Sequence, residues 1–308
     1  YQLQHLGTLT LTEGDLELIV RPSGPIRGAL ADLRAIHLTA DGSVPLARGM
    51  QQAEFGIPAN AAPAELAAWL LNDSVPPSER EAVLNREMSR SDRRPPESVL
   101  AAMAQTLPKT PGSAEEYRRI PWIWRVAIGV GRSGTEEQFA AVLRCSLPEP
   151  GQPLQHWQAV VVGGGLINGL SLSGRWPHEV IPQVIRKQPE LEAAWQATLD
   201  ASAAMASDAG VPTGTRYDAL RIAALLPWPD ARRVLTPWLQ PDSHSELQMG
   251  AVSGLGDVPN EEAARLLVDS FKGLTPENQT LALEALRRTP ERRQLLEDAQ
   301  LNGSSSQK

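Results

Sequence analysis

Residues 157–171 read WQAVVVGGGLINGLS, and residues 115–129 read EEYRRIPWIWRVAIG. How the first stretch folds decides what kind of protein this is. As a strand feeding a glycine turn, it imitates the opening of a dinucleotide-binding βαβ unit. As a helix, it is an apolar rod whose consecutive glycines let neighbouring helices come close.

The nucleotide fingerprint G-x-G-x-x-G must follow a strand and open a helix, with an acid about twenty residues further on. Here Gly163 and Gly165 fill the first two positions, but Asn168 holds the third and Gly169 falls one residue late. Residues 177–188 look helical where a strand ending in an acid is required, and no second βαβ pattern exists. The helical reading therefore leads. Each glycine then costs about 1 kcal/mol of helix propensity, offset by close packing. On this reading Gly164→Ala barely disturbs the helix, whereas in a nucleotide-dependent enzyme using the turn from Gly163 to Asn168 it abolishes cofactor binding.

The flanking sequence agrees with a helical array. Ser78-x-x-Glu81, Ser113-x-x-Glu116 and Thr135-x-x-Gln138 have the form of capping boxes. Thr275-Pro276-Glu277 and Thr289-Pro290-Glu291 place proline and acid in a first turn. Gly273 sits where a helix C-terminus is expected. The segments 231–235 (ARRVL), 263–267 (AARLL) and 292–296 (RRQLL) recur roughly 30 residues apart, each after an apolar helix, which is the pattern of stacked helix pairs.

Residues 1–40 differ. Leu9 and Leu11 alternate with threonines, a Gly14 turn follows, and Leu16, Leu18 and Val20 resume the alternation. That is the signal of an antiparallel hairpin with one buried face. A third strand is expected near residues 33–38. The segment reads as the last strands of a β-sandwich, and the chain, which begins at Tyr1, as a piece of a longer protein. Prolines crowd residues 41–111, read as a linker passing into short irregular helices.

Composition sets bounds. The 308 residues are 42% hydrophobic and 21% charged, so a packed core is affordable. A net charge of −7 argues against a surface that binds a phosphate backbone. No apolar run reaches the ~18 residues of a membrane span. Cys145 is the one cysteine and reads as a small buried hydrophobe.

Catalytic constellations are weak. There is no G-x-S-x-G elbow around Ser171 or Ser173. His5, His37, His156, His178 and His244 form no metal-ligand pair and read as surface or capping residues. The acid pairs Glu115-Glu116, Glu136-Glu137 and Glu261-Glu262 fall in first turns, where they complement the helix dipole. Trp122 and Trp124 flank Ile123 and cannot share a helix face. One of them can then pack inward while the other meets a neighbouring helix, a partner or a sugar ring, and the remaining tryptophans read as packing at helix ends.

The segments EEYRRIPWIWRVAIGVGR (115–132), PGQPLQHWQAVVVGGGLINGLS (150–171) and GLTPENQTLALEALRRTPERRQLLEDA (273–299) resemble the HEAT-like region of large multidomain planctomycete and verrucomicrobial proteins. In that family the region precedes a c-type haem domain and often accompanies a dehydrogenase-like propeller. Residues 6–39 resemble the closing strands of carbohydrate-binding-like sandwiches. The resemblance implies an extracytoplasmic setting and a polysaccharide-related context. Its haem attachment, C-x-x-C-H, does not carry over, because Cys145 is followed by Ser146, Leu147 and Pro148.

The expected fold is thus mainly α: an α-solenoid of HEAT-like helix pairs over 112–301, preceded by a short antiparallel β segment (1–40) and the linker (41–111), with a disordered tail (302–308). The expected function is a non-catalytic scaffold that positions neighbouring domains, such as a haem domain, or meets a partner protein. A carbohydrate-binding module is the first alternative, with a polysaccharide as its partner, and a nucleotide-dependent domain the second. No catalytic, cofactor-binding or metal residue is assigned. Trp122, Trp124, Arg125 and Trp157 are the candidate interaction surface.

Overall fold

The computed structural model describes residue 57, residues 61–88 and residues 94–305, with side chains as far as Ala299. The chain divides between Gly56 and Ile57. The hairpin expected in residues 1–40, and with it the carbohydrate-binding alternative, lies outside the described residues. What is described is mainly helical, and no strand occurs among the described residues.

Three helices, α1 (Pro63–Leu70), α2 (Pro77–Met88) and α3 (Pro96–Ala104), occupy the stretch read as linker. Their prolines start them rather than interrupt them, because a first-turn residue has no N–H to lose. Leu66, Leu70, Val99, Leu100 and Met103 are fully buried, so these short helices are core. Ser78 lies inside α2, one residue past Pro77, and so does not cap it.

The remaining helices follow at short intervals. They are α4 (Ala114–Ser133), α5 (Glu136–Ser146), α6 (His156–Ala159), a π-helical segment (Val160–Ile167), α7 (Asn168–Leu172), α8 (Pro177–Lys187) and α9 (Glu192–Ser207). Then come α10 (Thr213–Ala223), α11 (Trp228–Leu235), α12 (Ser245–Asp257), α13 (Glu261–Ser270), α14 (Pro276–Leu286) and α15 (Pro290–Ser305). Several N-termini form as their sequences indicate. Thr135 and Gln138 bond reciprocally, and Thr275 accepts from the Asn278 N–H. Gly273 closes the 3-10 turn after α13 instead of capping that helix directly. No stop signal precedes Gly303, and α15 continues to Ser305, into the tail expected to be disordered.

Packing follows chain order. The π segment lies against α4 on one side and α10 on the other; α10 packs on α12, and α12 on α14. Alongside, α11 touches α10 and α12, α13 touches α12 and α14, and α15 touches α13 and α14. Before them, α1 packs on α3, and α3 on α4 and α5.

The backbone of α6, the π segment and α7 stays right-handed helical through both junctions. The π segment of this rod is apolar all round, as suits a helix surrounded by protein. Val161, Val162, Leu166 and Ile167 are fully buried. Its glycines set the spacing to its neighbours. A Cβ on Gly169 would stand 2.6 Å from the Gly131 Cα, and one on Gly131 would stand 2.6 Å from the Gly165 carbonyl oxygen. The α4 and α7 backbones therefore touch through glycine.

Two glycines of α4 test this seam against each other. Gly131→Ala puts a methyl into backbone and should destabilise by ~1–3 kcal/mol, the usual range for overpacking. Gly129→Ala meets nothing within 4 Å and should stabilise by ~0.5–1 kcal/mol through helix propensity. Urea unfolding of both variants measures the difference, and shifts of the same sign would refute the seam.

Candidate functional site

The valine-glycine stretch that could have been a phosphate-binding turn is helical from Val160 to Ile167. The strand a dinucleotide site needs is therefore not present at residues 160–162, and the alternative built on the turn from Gly163 to Asn168 is corrected on that ground. The reason is packing. Gly163 faces the backbone of Asp218, Gly164 faces its carboxyl, and Gly165 faces Ala127. The three hydrogens occupy places that no side chain could take.

The expectation that Gly164→Ala would be harmless to a helix is corrected as well. A Cβ there would stand 2.5 Å from the Asp218 Oδ1. On the other side, the Trp124 indole N–H donates to the Gly164 carbonyl at 3.0 Å. Widened π turns often mark functional positions, and this one holds an unusual group. Asp218 is 7% exposed, and no donor among the described residues bonds its carboxyl. Burial pushes its pKa well above the ordinary carboxylate value, with Glu246 adding to the effect and Arg221 opposing it.

The four residues proposed as an interaction surface divide. Trp122 is buried, with the Arg80 guanidinium 4.5 Å and the Arg125 guanidinium 5.2 Å from its ring centroid. Trp157 is buried too, and its backbone N–H donates to the Glu116 carboxylate at 2.8 Å. Trp124 and Arg125 are half-buried. Arg125 reaches Glu81 at 3.0 Å, the Pro121 carbonyl at 2.9 Å and the Trp124 ring at 5.8 Å. The two indoles do point differently, as their spacing demands, and Arg125 lies against both.

Glu116 also departs from its expected role. Ser113 accepts from the Glu116 N–H, but the Glu116 carboxylate does not complete the capping box. It sits buried between the N–H groups of Gly112 and Trp157, joining the start of α4 to that of α6. Glu115, by contrast, is held to about 2 by hydrogen bonds from Arg118 and Arg119.

A buried ionic network ties the rod to the C-terminal helices. Arg221 on α10 pairs with Asp257 at the end of α12 at 2.6 Å, and both are nearly inaccessible. Ser171 donates to Asp257 at 2.7 Å and accepts from Arg221 at 2.9 Å. Asn168, standing where the fingerprint wants glycine, accepts from Arg221 at 3.3 Å. Arg288 reaches Asp257 at 3.0 Å and lies 3.8 Å from the Trp176 ring centroid. One visible trace of this network was Arg221 itself, a charge set inside the apolar run ALRIAALL (219–226).

A groove of about 540 Å³ opens between α8, α9 and the turns after α10 and α12, a size typical of ligand pockets. Trp195, Trp228, Ile185, Leu199 and Leu226 form much of its apolar wall, with His178, Gln196 and Asn260 among the polar groups. His178 Nε2 lies 2.9 Å from the Ala224 carbonyl. A carbonyl only accepts, so Nε2 carries the proton. Burial lowers the His178 pKa, which leaves Nδ1 as a neutral acceptor. No local motif could have revealed this groove, because its walls come from four separate stretches of chain.

The other two histidines among the described residues have structural partners. The Tyr117 hydroxyl lies 2.6 Å from His156 Nδ1, and His244 caps α12. Burial lowers the His156 pKa and pushes the Cys145 thiol up to about 11. Among the described residues no cluster of His, Cys, Asp and Glu is arranged for a metal ion. Comparison with protein-family models, curated proteins and solved structures finds no match to this chain.

Two substitutions follow from these charges. Removing the shared counter-ion, Asp257→Asn, should destabilise by ~3–5 kcal/mol, the usual consequence of stranding a buried cation. Ser171→Ala should remove about 1 kcal/mol, and an equal loss in chemical denaturation would show that the ion pair is unimportant. Asp218 behaves oppositely. Its folded pKa lies above its unfolded one, so the folded state keeps a proton that the unfolded chain releases. Its stabilising protonation is complete below the unfolded value, near ~4, and is lost as pH rises toward the folded pKa. Asp218→Asn should therefore gain stability over wild type as pH rises from 4 to 8; a pH-independent difference in melting temperature contradicts this.

Proposed function

We propose that this chain is a non-catalytic scaffold: a solenoid of helix pairs that holds neighbouring domains or a partner protein at fixed separation. The observation carrying this reading is the unbroken order of packing, in which the π segment, α10, α12 and α14 form one row. The helices α11, α13 and α15 lie beside that row. Such a stack transmits position because each unit is held by the one before it. The likeness of residues 115–132, 150–171 and 273–299 to HEAT-like regions supports the same reading. On this reading the neighbours are a haem-bearing or polysaccharide-processing domain, in an extracytoplasmic setting.

The polar chemistry supports it as well. Arg221 and Arg288 meet at Asp257, Arg292 reaches the Gly256 carbonyl, and Glu116 joins the start of α4 to that of α6, so each buried charge ties one helix to another. Charged groups used as struts suit a rigid spacer.

Rigidity and cofactor response test the proposal together. Spin labels at Ser78→Cys and Asp269→Cys, both exposed sites, in a Cys145→Ser background should give one narrow distance distribution. Added NAD, FAD or ATP should leave both that distribution and the melting temperature unchanged. A broad or multiply peaked distribution sinks the rigid-spacer reading, and stabilisation by any of the three nucleotides restores the enzyme alternative.

A further inference from the structure

Arginine covers four of the eight tryptophans of this chain. Guanidiniums of Arg80 and Arg125 lie over Trp122, Arg125 over Trp124, Arg288 and Arg292 over Trp176, and Arg216 over Trp238, within 3.8 to 5.8 Å of the ring centroids. The two indoles that line the groove, Trp195 and Trp228, have no such cation among the described residues.

Their surroundings favour one. The Trp228 indole N–H donates to the Glu262 carboxylate, which drives electron density into the ring and brings a negative charge beside it. Glu192, exposed at the groove's edge, makes no ion pair among the described residues. His178 is neutral, with its Nε2 proton committed to Ala224 and its Nδ1 left as an acceptor. Arg186 is the one cation of the lining, and it is exposed. Within the lining one carboxylate, Glu192, stands with one guanidinium, Arg186; the further carboxylate at the Trp228 indole, Glu262, has Arg265 on its own helix as a counter-charge.

We propose that this groove receives a cationic side chain, arginine or lysine, presented by a partner protein. The head group lies on the Trp228 ring, with Glu192 and Glu262 as counter-charges, while its aliphatic stem follows Leu199, Leu226 and Trp195. This assigns a partner chemistry to the scaffold reading and rests on that reading. The groove's volume admits a long side chain together with the backbone that carries it. No reaction is involved. The site recognises charge and a flat or compact head group.

The test uses the indole N–H resonances of the full chain, with the N-acetyl forms of arginine amide and lysine amide as probes and that of citrulline amide as the uncharged isostere. Either cation should shift the Trp228 and Trp195 signals saturably, at least about fivefold more tightly than citrulline amide, as expected for one cation on an indole. Trp228→Phe keeps a ring face and should retain a weakened response, Trp228→Leu should lose it, and Glu192→Gln should weaken it about threefold. Equal binding of citrulline amide, or an undiminished response in folded Trp228→Leu, overturns the proposal. The spin-label distances do not depend on any probe, so failure here and failure of the rigid-spacer reading are told apart.

Discussion

The contact of backbone against backbone along the central rod is the constraint from which the rest of the structure proceeds. Gly165 and Gly169 meet α4, where Gly131 completes the seam, while Gly163 and Gly164 meet α10. Three glycines in a row weaken an isolated helix by about 3 kcal/mol. Burial of Val161, Val162, Leu166 and Ile167 outweighs this, at ~1.5–3 kcal/mol for each fully buried side chain. Helix stability here is thus a property of the packed array and not of the segment. Separate α4 from the rod, and the rod has little reason to stay helical.

The same closeness explains Asp218. With Gly164 opposite, its carboxyl fits against the rod, where no donor among the described residues reaches it. Protonation is the available response. The Arg221–Asp257 pair lies on the same helix interface, but there Ser171, Asn168 and Arg288 supply the polar partners. Two buried acids on adjoining helices therefore differ in their neighbours more than in their depth.

Sequence made the helix starts legible and left the helix ends dark, and the physics of capping explains the asymmetry. A start is satisfied locally: Thr135 and Gln138, or Thr275 and the Asn278 N–H, are three residues apart. The helical nature of residues 157–171 could also be read, since no acid-ended strand followed the glycines. The spacing of Trp122 and Trp124 shows that they diverge, but burial of Trp122 between Arg80 and Arg125 depends on how α2 packs, which no local pattern shows. The groove was illegible for the same reason. His178, Trp195 and Trp228 meet only after four helices have stacked.

Helix ends in this protein are closed from a distance. Of the described helices, α7 ends on a left-handed glycine, Gly174. Elsewhere the last carbonyls are taken by side chains of other elements. Arg80 donates to the Leu70 carbonyl, Arg119 to Met103, Arg216 to Ala206, and His178 to Ala224. Arg175 reaches the Gly131 carbonyl in α4, and Arg292 reaches Gly256 of α12. An orphan carbonyl at a helix terminus is unfavourable when buried. Each of these helices is therefore complete only when a particular neighbour is in place. Local packing alone would let a stack of apolar rods slide, because one leucine face resembles another. A side chain that must meet one carbonyl fixes the register, and α1, α3, α4, α9, α10 and α12 are each tied to a neighbour in this way.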